Sequence, residues 1–511
     1  MVNSIDTNQA YFYAIQNSMQ TDATIIIIGS GFSGIGAGIQ LKKAGYSFLI
    51  LERADDIGGT WRDNQYPGIA VDITSFTYSY SFEQNPNWSR VFAKGNELYD
   101  YANQCVYKYN IRENFRFKVD VDKAVFDEQN AVWTVYARDG RSFTASIIIS
   151  ATGALTDPKY PEIKGLDKFK GKLIHTARWD KNYDLNGKKV AVIGTGATSV
   201  QLVPTIAPEV SQLYVYQRTP IWIFPKPDAS IPESIQTIFS RLPLVQNGIR
   251  KLTDSITETV MVTGVVNYRQ MPFIVKTLER GCLQYLKSQV KDETLRKKLT
   301  PNYGFGCKRP SFSSNYYAAF NRPNVELITE SIQEITKNGI VTSDGKERKI
   351  DTLIAATGFN VMKDSNYLNY KLYGRNGAEL GEFWGKNRLQ AYQGCAVPNF
   401  PNFFIIFGPY SASGLSWFNM IEIQLQHMMR VLQEKQKRKA VTFEIKQEAH
   451  DQYFQYMLKK QKDTVFYNNN CGSSNSYYFD KFGDAPFLRP LSVSNSKWYS
   501  EHSDLEHYRY G

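Results

Sequence analysis

The sequence predicts an α/β protein with two Rossmann-like dinucleotide-binding domains, the second carrying a helical insertion. Three observations predict it. A strand, glycine-rich turn, helix, strand pattern occurs twice, in TIIIIGSGFSGIGAGIQLKKAGYSFLILE and in KKVAVIGTGATSVQLVPTIAPEVSQLYVYQR. Two apolar strands close on the same ATG turn, in SIIISATGAL and DTLIAATGFN. Between the second copy and the second ATG turn, RLPLVQNGIRKLTDSITETV and SQVKDETLRKKL have the apolar spacing of amphipathic helices with polar faces.

The elements justify this in order. Residues 1–22 precede any fold signal and read as an N-terminal extension, with Met19 as an alternative start. No basic segment followed by an apolar one marks a signal peptide. The run Ile25–Ile28 is continuous and β-branched, as a strand buried on both faces of a parallel sheet requires. It is too short to cross a bilayer. A second strand, Phe48 to Leu51, ends on Glu52. The two ATG turns mark where the chain leaves the first domain and where it returns. The predicted divisions are therefore 23–158 for the first part of the first domain and 357–511 for its second part. The second domain takes 159–228 and 302–356, split by the helical insertion at 229–301.

Each glycine-rich turn has a physical reading. Gly29 permits the tight turn, Gly31 lets the backbone approach a pyrophosphate, and Gly34 lets the helix pack close to the strand. The helix N-terminus turns its positive end toward the phosphates. Glu52, about 20 residues on, suits hydrogen bonds from ribose hydroxyls. In the second copy, Gly194 and Gly196 lead into Ala197, Thr198 and Ser199, the small serine standing where the third glycine would fall. The equivalent of Glu52 is Gln217, followed by Arg218 and Thr219. A guanidinium and a hydroxyl at that strand tip fit a 2′-phosphate. The first site is therefore read as FAD-binding and the second as binding NADPH rather than NADH.

Three further blocks carry a resemblance. FKGKLIHTARWD holds Phe169, Gly171, His175, Trp179 and Asp180. GGTWRDNQYPGIAVD holds Gly59, Trp61, Tyr66, Pro67, Gly68 and Asp72. GCKRP holds Lys308 and Arg309. At these positions the chain resembles the type I Baeyer–Villiger monooxygenases, a class B flavin-containing monooxygenase family, from about Thr24 to Trp498. The resemblance implies an NADPH-dependent flavoprotein monooxygenase that takes a hydride from NADPH and activates O2 as a C4a-peroxyflavin. That reaction converts ketones to esters or lactones, with sulfide oxidation as a side activity. It implies Arg309 as the cation beside the reacting oxygen, Asp72 as its partner, and Lys308 on the 2′-phosphate with Arg218. Thr60, Trp61, Arg62, Asp63, Asp72 and Tyr78 are implied as FAD contacts, and Val121 as a backbone contact to adenine. His175 and Trp179 are implied as linker residues that coordinate domain motion. Two departures stand out: Val71 where many relatives have Cys, and Arg489 where many have Trp.

Composition excludes other classes. A net charge of +11 over 511 residues comes from scattered cations, with no basic block to mark a nucleic-acid surface. The five cysteines include no CxxC pair, which argues against zinc, against a flavin disulfide reductase, and for five unpaired thiols in a reducing cytoplasm. No metal is expected. Of the remaining histidines, His427 reads as a core-edge residue, and His450, His502 and His507 as solvated. The stretch 403–418 reads as core strand and turn, and by resemblance its loop borders the substrate pocket. The expected partners are a small ketone or sulfide and O2, in a monomer or small homo-oligomer without an integral membrane segment. The competing readings are an N- or S-hydroxylating flavin monooxygenase and a dinucleotide-binding sensor without turnover.

Overall fold

The computed structural model describes residues 21–361, 367–412 and 414–511. Most of the expected extension, residues 1–20, lies outside the described residues. Asp22 already belongs to the fold, because its carboxylate accepts hydrogen bonds from the Thr144 amide and hydroxyl at 2.7 and 2.9 Å.

The first sheet has eight strands. Ala23–Ile28 lies at its centre, parallel to Phe48–Leu51 on one side and Ser142–Ser150 on the other. Its alternate residues enter two different cores. Ile25 and Ile27 join Phe32, Ile35 and Phe418, while Ile26 and Ile28 join Val135, Ile148 and Trp384. Burial on both faces is the reason the run has no polar alternation. An antiparallel meander, Val121–Asp127 and Val132–Ala137, leads into Ser142–Ser150. Far along the chain, Phe403–Ile405 and Lys371–Tyr373 rejoin this sheet.

The second sheet is wholly parallel, in the order Val325–Ile328, Gln212–Tyr216, Lys189–Ile193, Thr352–Ala355, Lys172–His175. Each ATG turn backs the glycine turn of its own sheet. Gly29 has φ +109° and a Cβ there would meet the Ala151 carbonyl oxygen at 2.6 Å; Gly194 has φ +113° and would meet that of Ala356 at 2.5 Å. The repeated ATG is thus the floor beneath a repeated turn.

The insertion folds as helices Glu233–Arg241, Pro243–Thr257, Pro272–Gln289 and Glu293–Leu299, with a π turn at Glu258–Val262. One expectation is corrected. The polar side of Pro243–Thr257 faces the protein, not water. Gln246 and Arg250 are buried, while Leu244 and Leu252 are 82% and 61% exposed. The body beneath offers carbonyls beside a smaller apolar contact made by Ile249: Gln246 donates to Asn85 O at 2.7 Å, and Arg250 to Phe76 O and Ser79 O at 3.1 and 2.8 Å. Periodicity tells which residues share a face, not which way that face turns.

The cysteine expectation is also corrected. Cys307 and Cys471 form a disulfide across a sequence separation of 164, a pairing that local spacing cannot reveal. Cys105, Cys282 and Cys395 are free and buried, and burial pushes each thiol up to about 12. Two histidines read too far outward. His427 is fully in the core between Tyr508 Oη and Ser503 Oγ, where burial lowers its pKa to about 3. His450 is buried rather than solvated, beside Asp451 at 3.1 Å. His507 is half-buried against the Tyr392 hydroxyl, and His502 is exposed.

Candidate active site

The first glycine turn opens onto a cleft. Gly29, Gly31 and Glu52 line one end, and Thr60, Trp61, Asp63 and Tyr78 another. Val121, first residue of its strand, lines it with Val119 and Asp120. Glu52 is buried and held: Ser30 N and Oγ donate to one carboxylate oxygen at 3.0 and 2.6 Å, and Ala54 N to the other at 2.8 Å. Its orientation is therefore set before any ligand arrives. Trp61 Nε1 donates to Tyr78 Oη at 3.1 Å, coupling two walls of the cleft. Arg62, beside the cleft-lining Thr60, Trp61 and Asp63, pairs with Asp55 and Asp63. Gly34 packs behind the turn, where a Cβ would lie 1.9 Å from Gly29 O. This cradle of backbone, helix N-terminus and fixed carboxylate fits FAD.

The second turn leads into the helix Ala197–Ile206, so Thr198 stands in its first turn. Gly196 faces open space. Ser199 fills the third-glycine position and donates to Gly194 O at 2.6 Å, converting a tight contact into a hydrogen bond. Arg218 is exposed at the strand tip. Lys308 is half-buried beside it, and its pKa is lowered, first by burial and then by the Arg218 charge. Among the described residues neither cation makes an ion pair. Two close cations with no carboxylate fit the 2′-phosphate of NADPH. Thr219 is buried, and its hydroxyl accepts from Asn475 Nδ2 at 3.0 Å. Asn475 had no motif to announce it.

Between the two cradles lies the charged pair. Arg309 donates Nε to Asp72 Oδ2 and Nη2 to Asp72 Oδ1, both at 2.9 Å, a bidentate pair joining segments 237 residues apart. Asp72 is the main cause that raises the Arg309 pKa further above its already high range, so the guanidinium is permanently charged. Its side chain is 43% accessible, yet Tyr477, Tyr478 and Asp72 crowd it. Sequence reasoning missed Lys226, whose Nζ donates to Val71 O at 2.8 Å and sits 4.8 Å over the Phe92 ring. It fixes the backbone just before Asp72. The signal was present in Pro225-Lys226-Pro227, two prolines that hold the lysine's backbone extended.

His175 and Trp179 lie away from this pair. His175 is buried where the two strands of chain linking the domains cross, at the Pro158–Phe359 bridge, with Tyr160 5.0 Å away between ring centroids. Its Nδ1 accepts from Ala177 N, and burial lowers its pKa, which favours a neutral ring. Trp179 packs on the core of the second sheet. Arg489 is buried and donates to the carbonyls of Tyr410 and Gln393 at 3.0 and 2.6 Å, bracing the loop after Phe403–Ile405.

Two dinucleotide cradles and the Asp72–Arg309 ion pair define a two-dinucleotide oxidoreductase. Comparison makes this specific. The family pattern described as pyridine nucleotide-disulphide oxidoreductase matches residues 26–265. A Baeyer–Villiger monooxygenase of Pseudomonas aeruginosa is 39% identical over 451 residues, covering 88% of this chain and 84% of that protein. One of Streptomyces coelicolor is 35% identical over 488 residues, covering 95% and 92%. The crystal structure of cyclohexanone monooxygenase from Rhodococcus sp. Phi1 bound to NADP+ superposes with a TM-score of 0.84 at 25% identity, covering 96% of this chain and 99% of that one. The chain belongs to the Baeyer–Villiger monooxygenase family of class B flavin monooxygenases and is an NADPH-dependent flavoprotein monooxygenase.

A pH dependence follows from the cation pair. A lysine holds a phosphate best while protonated, and the pKa of Lys308 lies below the ordinary lysine value. Apparent NADPH affinity should therefore weaken as pH rises through that lowered pKa. Arg218→Ala should weaken NADPH binding roughly ten- to a hundredfold at neutral pH, through loss of a charge-assisted contact of about 1.5–3 kcal/mol. It should also move the alkaline limb to higher pH, because one cause of the lowering is gone. Apparent KM for NADPH and NADH across pH tests both. Unchanged NADPH kinetics would remove Arg218 from the phosphate site.

Proposed function

We propose that this enzyme converts ketones to esters or lactones. The observation that carries the reading is the bidentate Asp72–Arg309 pair between the two cradles, with Lys226 fixing the backbone beside it. FAD, when bound, supplies hydride acceptance from NADPH and activation of O2. The chain's own residues do the rest. Asp72 aims the guanidinium, and Arg309 neutralises negative charge on oxygen as it is transferred to a carbonyl carbon. Tyr78 and Trp61 wall the cleft, and Trp417 lines it from the returning half of the chain.

The test is a product screen. Purified protein should be yellow, and aliphatic, cyclic and aryl ketones with NADPH and O2 should yield esters or lactones. Oxidation of amines or sulfides with no ester from any ketone would assign the enzyme to N- or S-oxygenation instead.

A further inference from the structure

The helical hairpin Glu233–Thr257 carries an apolar stripe on its outer side, independently of which substrate the enzyme oxidises. Its polar side is spent on the protein: Gln246 and Arg250 hold loop carbonyls, and Asp254 accepts from Thr77 Oγ1 at 2.7 Å. Phe239 packs inward on Phe76 and Ile249 against the core, but most of the hairpin's apolar side chains are left outside. Ile235 and Ile238 on the first helix and Val245, Leu252 and Ile256 on the second recur at helical spacing; with Leu242 at the joint they are all exposed, and Leu244 is the most exposed of the set. Scattered exposed apolar residues are ordinary, but a contiguous stripe marks an interaction surface. Apart from Glu233, exposed at the hairpin's first residue, the only carboxylate is Asp254, which is turned inward, whereas Arg241 and Lys251 are exposed.

An apolar face with cations and no acid is the composition of a helix that lies in a lipid interface. A second copy fits less well. A two-fold contact would set the same face against itself, bringing Arg241 and Lys251 toward their own counterparts with no exposed carboxylate on the stripe to answer them. Among the described residues no helix is long and apolar enough to cross a membrane, so the contact would be interfacial. We propose that this hairpin seats in the headgroup layer of a bilayer containing anionic phospholipid, with the leucines and isoleucines among the acyl chains and Arg241 and Lys251 on phosphates. The hairpin's inner side grips Phe76, Thr77 and Ser79, next to the cleft residue Tyr78. Docking therefore leaves one helix, about 10 Å across, between the bilayer and that loop.

The test is flotation of the full-length yellow protein with vesicles of phosphatidylcholine alone or mixed with phosphatidylglycerol. The wild type should float with the mixed vesicles, less so at high salt. Leu244→Asp/Leu252→Asp and Arg241→Glu/Lys251→Glu should each lower the bound fraction about tenfold or more. Both should retain flavin and unchanged vesicle-free NADPH oxidation, which shows that they fold. Absence of flotation, or flotation that neither variant weakens, would overturn the proposal. So would a wild-type dimer in sedimentation that Leu244→Asp/Leu252→Asp dissociates, since a second copy would then cover the stripe.

Discussion

Arg309→Ala should still purify with FAD and still accept a hydride from NADPH, yet form almost no ester and release hydrogen peroxide instead. The argument is spatial. Everything that fits FAD, from Gly29 to Glu52 and from Thr60 to Tyr78, is built from other segments of chain. Arg309 touches the 60–78 segment only through Asp72, which does not line the cleft, and faces Tyr477 and Tyr478, so its loss leaves the cleft lining in place. What it removes is a fixed cation, and loss of one preorganised group at developing negative charge costs about 3–4 kcal/mol, roughly a hundred- to a thousandfold in rate. Arg309→Lys should recover only part, because an ammonium cannot reproduce two parallel hydrogen bonds to Asp72. Asp72→Asn should fall between, keeping the guanidinium but losing the partner that aims it. Flavin reduction, peroxide release and ester yield, measured in parallel, decide the matter. Normal ester yield in Arg309→Ala would take Arg309 out of the chemistry.

How much of this was legible in the sequence depends on whether the cause is local. Ile25–Ile28 announced a doubly buried strand because burial on both faces suppresses polar alternation, and the repeated ATG was visible because the same turn needs the same floor. The contrast of Glu52 with Arg218 was legible because the two βαβ units share one strand, turn, helix, strand order and differ in charge at the tip. The pairing of Arg62 with Asp55 and Asp63 was not legible, because a motif names residues and not the partners of their side chains. His450 misled because a polar residue on a helix reads as solvated until the helix's neighbours are known. Asn475 and Arg489 act through backbone loops far away in sequence, and nothing local marks them. The outward stripe from Ile235 to Ile256 is the sharpest case. Its period was plain, but its direction depends on the carbonyls of Phe76, Ser79 and Asn85.

The Cys307–Cys471 bond should be worth a large loss when removed, in both stability and cofactor affinity. Closing a loop of this length removes about 5 kcal/mol of unfolded-state entropy in the chain model, and measured losses run about 2–5 kcal/mol. The local consequence is more specific. Cys307 directly precedes Lys308 and Arg309, and Cys471 opens the segment that brings Asn475 to Thr219 and Tyr477 and Tyr478 to Arg309. Hydrogen bonds accompany the bond, Gly304 N to Asn470 O at 2.8 Å and Asn469 Nδ2 to Phe305 O at 3.1 Å, but each is individually modest. Cys471→Ser should therefore lose hydrogen-exchange protection over 302–309 and 469–478 and weaken NADPH binding. Cys307→Ser should do the same, and the double variant should be no worse than either, because one bond is lost in all three. Treating the wild type with a dithiol reductant should reproduce the phenotype, its two thiols becoming a disulfide as the two cysteines become thiols. Thiol titration of denatured, unreduced protein gives the direct check: three reactive thiols, Cys105, Cys282 and Cys395, are expected. Five would show that the bond does not form, and the clamp on the Lys308–Arg309 loop would then rest on hydrogen bonds alone.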